Sequence, residues 1–250
     1  MNQCALQSVD APAADTGAGA SDQQRPYQRL NRAWQHLSAV QRVECALDHL
    51  PGRQVLSSSF GMQAAVMLHL VTQVEPTIPV IFIDTGYHFA ETYRFVDMLV
   101  DRLKLDLHIA RAEISPAWQE ARHGKRWEQG REGIESYNRQ NKVEPMQRSL
   151  DALDAGTWFS GLRRSQAETR SDIAFVTSQW ERVKVHPIAD WDDREVHRYL
   201  TRHDLPYHPL REQGYLSIGD WHTTRSIHEV DDQEKLRFFG LARECGLHQA

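Results

Sequence analysis

The sequence predicts an α/β protein built on a parallel sheet, and three observations carry that prediction. The stretch 78–84, "IPVIFID", is a continuous apolar run, as expected of a strand covered on both faces. Helical and strand-like stretches alternate at the spacing of βαβ units. Two of the strand-like stretches end in polar turns that contain glycine, "SSSFG" and "DTGYH". In an open parallel sheet, ligands bind beyond such strand ends.

The elements follow in order. From 27 to about 50, Leu30, Trp34, Leu37, Val40 and Leu47 recur mostly at three- and four-residue steps, which predicts a helix. Cys45 falls inside it and reads as a small buried thiol. Pro51-Gly52 ends it. "QVLSSSFGMQAAVMLHLV" reads as a short strand, a serine-rich turn and a helix from near Gly61. "IPVIFID" is the second strand, "FAETYRFVDMLVDRLK" a helix and "DLHIAR" a third strand. The chain then turns polar, from 114 to about 143. "VEPMQRSLDAL" reads as a helix and "TWFSGL" as a fourth strand. "DIAFVTSQ" and "ERVKVHPI" are shorter strands. "DDREVHRYLTRH" is a helix capped by Asp192. Loop follows from 205, with one further helix over 231–243.

Composition narrows the class. Of 250 residues, 29 are Lys or Arg and 34 Asp or Glu, a net charge of −5 with pI ≈ 6.2. Broad attraction to nucleic acid or to a membrane surface is not expected, so an anionic ligand must be held by local basic groups. Three cysteines, Cys4, Cys45 and Cys245, cannot all pair, and they are too few for a four-thiolate metal site. A reducing, cytoplasmic setting is expected. Residues 1–26 lack the basic and apolar regions of a signal peptide, and their composition predicts a disordered tail. No window is long enough to span a membrane.

Four local constellations could do chemistry. Ser57, Ser58, Ser59, Phe60 and Gly61 lie where a strand hands over to a helix, a place that favours anions; the alternative is a plain turn. The loop matches neither the Walker nor the dinucleotide glycine pattern. Asp84, Thr85, Gly86 and Tyr87 end the second strand, and Asp84 could instead only cap the next helix. If the two strands are neighbours, their turns share one crevice. Arg163 and Arg164 follow the fourth strand and could clamp phosphate or sulfate, or form a solvated pair. Lys142, Lys184, His186, Arg225, Arg237 and Arg243 make a basic scatter. Thirteen histidines show no paired metal-ligand spacing, so no metal is expected. Cys245 lies five residues from the last residue, near Arg243 and His248, and neighbouring cations favour a thiolate.

The stretches "LSSSFGMQAAVMLHL", "DTGYHFAETYRF", "WQEARHGKRWEQG", "NKVEPM", "WFSGLRRSQAETR", "KVHPIADWDDREV", "LPYHPLREQGYLSIGD" and "RFFGLARECGLH" occur in that order. Together they resemble the phosphoadenylyl-sulfate (PAPS) reductase family, from about 27 to 249. The resemblance implies an adenine-nucleotide α-hydrolase-like (PP-loop type) three-layer fold with a mobile C-terminal tail. It divides the chain into a tail (1–26), a nucleotide-binding domain (27–230) and a C-terminal segment (231–250) carrying the catalytic cysteine. That cysteine, in E-C-G-L-H, is Cys245.

The implied reaction reduces 3′-phosphoadenylyl sulfate to sulfite and adenosine 3′,5′-bisphosphate, a step of sulfate assimilation toward sulfide and cysteine. Reduced thioredoxin, or glutaredoxin, supplies the electrons through a cysteine S-sulfonate, and a homodimer is implied. Ser57–Gly61 would hold the sulfate–phosphate end, with Asp84, Thr85, Gly86 and Tyr87 near the nucleotide. Lys142, Arg163, Arg164, Lys184, Arg225 and His248 join the expected substrate-binding set.

A sister group reduces adenylyl sulfate and carries a four-iron cluster on a Cys-Cys pair and a C-x-x-C. The corresponding positions here are Tyr137-Asn138 and Asp220-Trp221-His222-Thr223, so no cluster is expected. Three alternatives remain: a nucleotide-binding sensor without turnover, against which the E-C-G-L-H tail speaks, and two enzymes. One is cluster-free adenylyl sulfate reduction. The other is an ATP pyrophosphatase-type adenylating enzyme, whose loop usually reads Ser-Gly-Gly followed by aspartate.

Overall fold

The computed structural model describes residues 27–232, 236–241 and 247. The expected tail at 1–26, Cys245 and His248 lie outside them. The helix expected over 27–50 is two helices, α1 (Gln28–Trp34) and α2 (Ala39–His49). Ser38 divides them because its extended backbone starts a new helix: Ser38 Oγ accepts from Gln41 N–H, and the Gln41 side chain accepts from Ser38 N–H. Cys45 is buried on α2 as expected, but it is not a free thiol. Its sulfur is disulfide-bonded, which three cysteines permit, and the partner is not among the described residues.

Next come β1 (Arg53–Ser57), α3 (Ala64–Thr72), β2 (Pro79–Ile83), α4 (Ala90–Leu103) and β3 (Asp106–Ala110). The polar stretch from 114 holds two helices that its charge pattern did not reveal, α5 (Pro116–His123) and α6 (Gly130–Asn138). A π-helical segment, Arg139–Val143, joins α6 to α7 (Glu144–Ala152). Then follow β4 (Ala155–Phe159), β5 (Val176–Gln179), β6 (Arg182–Val185) and α8 (Asp193–Arg202). Asp192 caps α8 as expected, in a reciprocal box with Glu195.

The sheet order is β3-β2-β1-β4-β6-β5. All pairings are parallel except that of the edge strand β5 with β6. Strand order reverses between β1 and β4, which are neighbours, and a crevice opens at such a switch point. Side chains alternate across the sheet. Leu56, Val80, Phe82 and Phe159 face a core built with α1–α4 and α8, while Val55, Ile81 and Trp158 face Met146 and Leu150 of α7. The result is a three-layer α/β fold, as expected.

The helix expected over 231–243 is absent among the described residues. Arg237 instead bridges Thr224, and Phe238–Gly240 forms one 3₁₀ turn. Left-handed backbone at Phe238 and Gly240 (φ 48° and 78°) is incompatible with continuing a helix.

Candidate active site

A cleft of ≈ 340 Å³ opens at the C-terminal ends of β1, β2 and β4. Three turns converge there, because β1 lies between β2 and β4. The first runs from Ser57 to Gly61. Ser57 Oγ accepts from Trp158 Nε1 at 2.6 Å, which ties the loop to β4. Ser58 Oγ accepts from Phe60 N–H at 3.1 Å. Phe60 adopts a left-handed backbone (φ 47°) and is fully buried, packing edge-on against Phe82 with 5.2 Å between ring centres. That anchor turns Ser57, Ser58, Ser59 and Gly61 toward the cleft, just ahead of α3.

The second turn follows β2. Thr85 lines the cleft and donates from Oγ1 to Asp220 Oδ1 at 2.5 Å. Its neighbours do other work. Asp84 accepts from Tyr93 Oη (2.7 Å) and Gly86 N–H (2.9 Å), and it pairs with Arg111. Burial pushes its carboxyl up, but those bonds outweigh burial and hold it below the ordinary range. The alternative that Asp84 caps α4 fails, because the cap position is Phe89. Gly86 supplies the left-handed corner (φ 76°). Tyr87 turns inward and donates to Glu120.

The third turn follows β4. Arg163 is buried beside the cleft and donates to Asp193 Oδ1 (2.9 Å), Ser165 Oγ (3.0 Å) and the Gln63 side chain. Arg164 points elsewhere: its Nε donates to the Ile173 carbonyl at 2.8 Å and its guanidinium lies over Phe175. The two arginines therefore do not act as one clamp.

Lys142 reaches the cleft from the π-helical segment, and its Nζ sits 2.6 Å from Asp220 Oδ2. This contact is an ion pair without hydrogen-bond alignment. Burial pushes the Asp220 carboxyl up, but the opposite charge of Lys142 and the Thr85 hydroxyl outweigh it and hold the group far below the ordinary range. Lys184 is buried outside the cleft lining. It lies 4.0 Å from the Trp158 ring centre and donates to the Leu247 carbonyl at 3.0 Å and to Gln179. Arg225 donates to the Thr224 carbonyl at 2.9 Å.

Residues that sequence reasoning left out also line the cleft. Gln166 and Arg170 lie on paired 3₁₀ turns, and Arg170 donates to Gln166 at 2.7 Å. Arg237, read earlier only as part of a scatter, donates to Ser217 Oγ at 3.1 Å. Charge was the only sequence signal of Arg170 and Arg237, and Gln166 carried none. With Lys142 and Arg163 they give the cleft four cations, a setting for a polyanion.

The four positions that carry cluster cysteines in the sister group are Tyr137, Asn138, Asp220 and Thr223, and all are buried here. Aromatic rings fill the space beside them. His222 stacks on Trp127 (3.7 Å, 10°) and packs edge-on against Tyr87 and Tyr137. These groups offer no thiolate. Among the described residues no three His, Cys, Asp or Glu side chains are grouped to hold a metal ion, and no helix is long and apolar enough to cross a membrane.

Residues 53–226 match the family described as "Phosphoadenosine phosphosulfate reductase domain". A phosphoadenosine 5′-phosphosulfate reductase of Alkalilimnicola ehrlichii is 64% identical over 211 residues, 84% of this chain and 86% of that protein. One of Serratia proteamaculans is 60% identical over 220 residues, 88% of this chain and 90% of that protein. Among solved structures, a PAPS reductase from Candida auris in a phosphate complex superposes with a TM-score of 0.71 at 29% identity. It covers 81% of this chain and 97% of that one. An FMN adenylyltransferase of Candida glabrata, 14% identical with a TM-score of 0.55, shares the fold alone. A match to the reductase domain over residues 53–226, two relatives at 60% identity or more, and a serine-lined cleft at the sheet's switch point agree: the chain belongs to the phosphoadenosine phosphosulfate reductase family.

Proposed function

We propose that the chain reduces 3′-phosphoadenylyl sulfate to sulfite in sulfate assimilation, with Cys245 as nucleophile and a dithiol protein of the thioredoxin type as reductant. The observation that carries this reading is the cleft itself. Serines of one strand-end loop and Lys142, Arg163, Arg170 and Arg237 line one space of ≈ 340 Å³ at the switch point of a parallel sheet.

Hydroxyl donors and cations there suit a ligand with several anionic groups. In the first step the Cys245 thiolate attacks the sulfate sulfur and forms an S–S bond. The S–O bond to the 5′-phosphate breaks, and adenosine 3′,5′-bisphosphate leaves with the electron pair. Lys142 and the arginines offset the charge that moves onto the leaving phosphate. Ser57–Gly61 hold the phosphosulfate, and Thr85 lies beside them.

In the second step a thiolate of the dithiol attacks the Cys245 sulfur and expels sulfite with the S–S bonding pair. The second thiol resolves the mixed disulfide and restores the Cys245 thiolate. The dithiol is thereby oxidised by two electrons and the substrate sulfur reduced by two. Residues 231–250 act as the segment that brings Cys245 to each partner, His248 included, and glutaredoxin is an alternative donor. The enzyme works without a bound cofactor, as a homodimer in the cytoplasm.

Intact mass spectrometry after incubation with the nucleotide and no reductant tests this. The expected product is one added SO₃ group on the C-terminal peptide. Unmodified protein after complete mixing contradicts the reading. Comparing turnover of the 3′-phosphorylated and unphosphorylated nucleotides separates it from adenylyl sulfate reduction. The loop lacks the Ser-Gly-Gly-Asp pattern, so the adenylating alternative is not favoured.

A further inference from the structure

Lys142 is a cleft cation whose counter-charge is wholly buried. Its ammonium lies between the rings of Tyr137 (5.4 Å) and Phe238 (5.2 Å), with little contact to water. Asp220 supplies the counter-charge from a wholly buried side chain. The carboxylate is fixed from several sides. Thr85 Oγ1 holds Oδ1 at 2.5 Å. His88 forms a backbone bridge to Asp220, Trp221 N–H donates to the Tyr87 carbonyl at 2.9 Å, and Thr224 Oγ1 donates to the Asp220 carbonyl at 2.8 Å. With Oδ1 and the main chain both tied, Oδ2 is left facing Lys142.

A buried ion pair is a poor device for stability, since apolar side chains of similar volume do as well or better. Both members of this pair line the cleft. Lys142 keeps slight exposure while Asp220 has none, so the positive end fronts the cleft.

We infer that Asp220 is a positioning residue that acts through Lys142, aiming its ammonium at the sulfuryl end of the substrate and linking it through Thr85 to the turn after β2. The inference rests on the phosphosulfate reading of the cleft. Asp220 touches no substrate atom itself.

The test is a double-mutant cycle read by single-turnover S-sulfonate formation, with no reductant present. Asp220→Asn keeps the shape and an acceptor for Thr85 but removes the charge that aims Lys142. The expected rate falls about tenfold or more. Binding of adenosine 3′,5′-bisphosphate, which has no sulfuryl group, stays within about threefold. In a Lys142→Met background, Asp220→Asn produces no further loss of rate, because the group it acts through is gone. Equal losses in both backgrounds, or a wild-type rate for Asp220→Asn, overturn the inference.

If Asp220→Asn does not fold, Thr85→Val frees Oδ1 while keeping both charges. It is expected to slow the same step and to add nothing to Lys142→Met, and a wild-type rate for it overturns the inference. The unsubstituted enzyme is the control that separates the two readings. If it forms no S-sulfonate, the proposed function fails; if it does and the effects are additive, only the role of Asp220 fails.

Discussion

Lys184 Nζ lies 3.0 Å from the carbonyl oxygen of Leu247, two residues beyond Cys245. Gln179 donates to the same oxygen at 3.1 Å, and the Leu247 side chain packs against the core cluster that includes Val55, Ile81 and Trp158. Lys184 therefore holds the chain near the cysteine rather than the nucleotide. Lys184→Met is expected to slow S-sulfonate formation about threefold to tenfold and to quicken labelling of Cys245 by a thiol reagent. Nucleotide affinity should change little. A large loss of affinity with labelling unchanged restores Lys184 to the substrate.

Cys245→Ser removes the nucleophile but no cation from the cleft. Sulfite formation should fall to background while adenosine 3′,5′-bisphosphate binds within a few-fold of the unsubstituted protein. Calorimetry and a sulfite assay check both halves. Residual turnover above background contradicts the assignment.

Gly219 lies against the Arg237 guanidinium so closely that a β-carbon would displace it. The displaced group is the end of a flexible side chain, so Gly219→Ala should fold with nearly unchanged stability. It should raise KM by about tenfold, because one cleft cation moves. Steady-state kinetics beside a melting curve distinguish this from general damage.

Arg42 is buried and spends its guanidinium on Asp190 (2.6 and 2.8 Å), the Trp34 and Pro187 carbonyls and the face of Phe175. Arg42→Met strands the two carbonyls and Asp190. A loss of about 2–3 kcal/mol is expected, at the lower end for a buried pair because Asp190 still reaches water. Denaturant unfolding measures it.

Burial lowers four histidines: His186 to about 3, His208 and His222 to about 4, and His69 as well. Each is neutral in the fold but takes a proton when unfolded as pH drops below about 6.5. The unfolded state then binds more protons, so stability decreases as the pH is lowered. Each group contributes up to about 1.4 kcal/mol per pH unit until its folded value is reached. Asp84, Asp193 and Asp220, held low in the fold, add their loss further down, below about pH 4. Unfolding curves at pH 7.5, 6 and 5 should show a steep decline, and a flat profile contradicts it.

Much of the fold was legible because its signals are local. The apolar run at β2, the serine turn after β1 and the Asp192 cap each announce themselves within a few residues. What stayed hidden depends on distant partners. The helices of 114–143 bury few apolar residues, so their charge masked their period, although Ser115 before Pro116 is a usable start signal. The role of Arg163 could be placed beside a strand end, but its bonds to Asp193 and Gln63 depend on α8 and α3 coming together. Tyr87 looked like a ligand by position, and only packing against Trp127 and Tyr137 shows it to be core.

The π-helical turn at Arg139–Val143 has a consequence for how this stretch tolerates change in length. A π turn holds one residue more than an α turn, so the segment stores a single surplus residue between α6 and α7. Removing Gln140 would let the spiral run on as regular α-helix, with α6 and α7 keeping nearly the same rotation relative to each other. A one-codon deletion should therefore be absorbed there, whereas the same deletion within α7, which holds no surplus residue, should turn everything before it by about 100° and carry Lys142 away from Asp220.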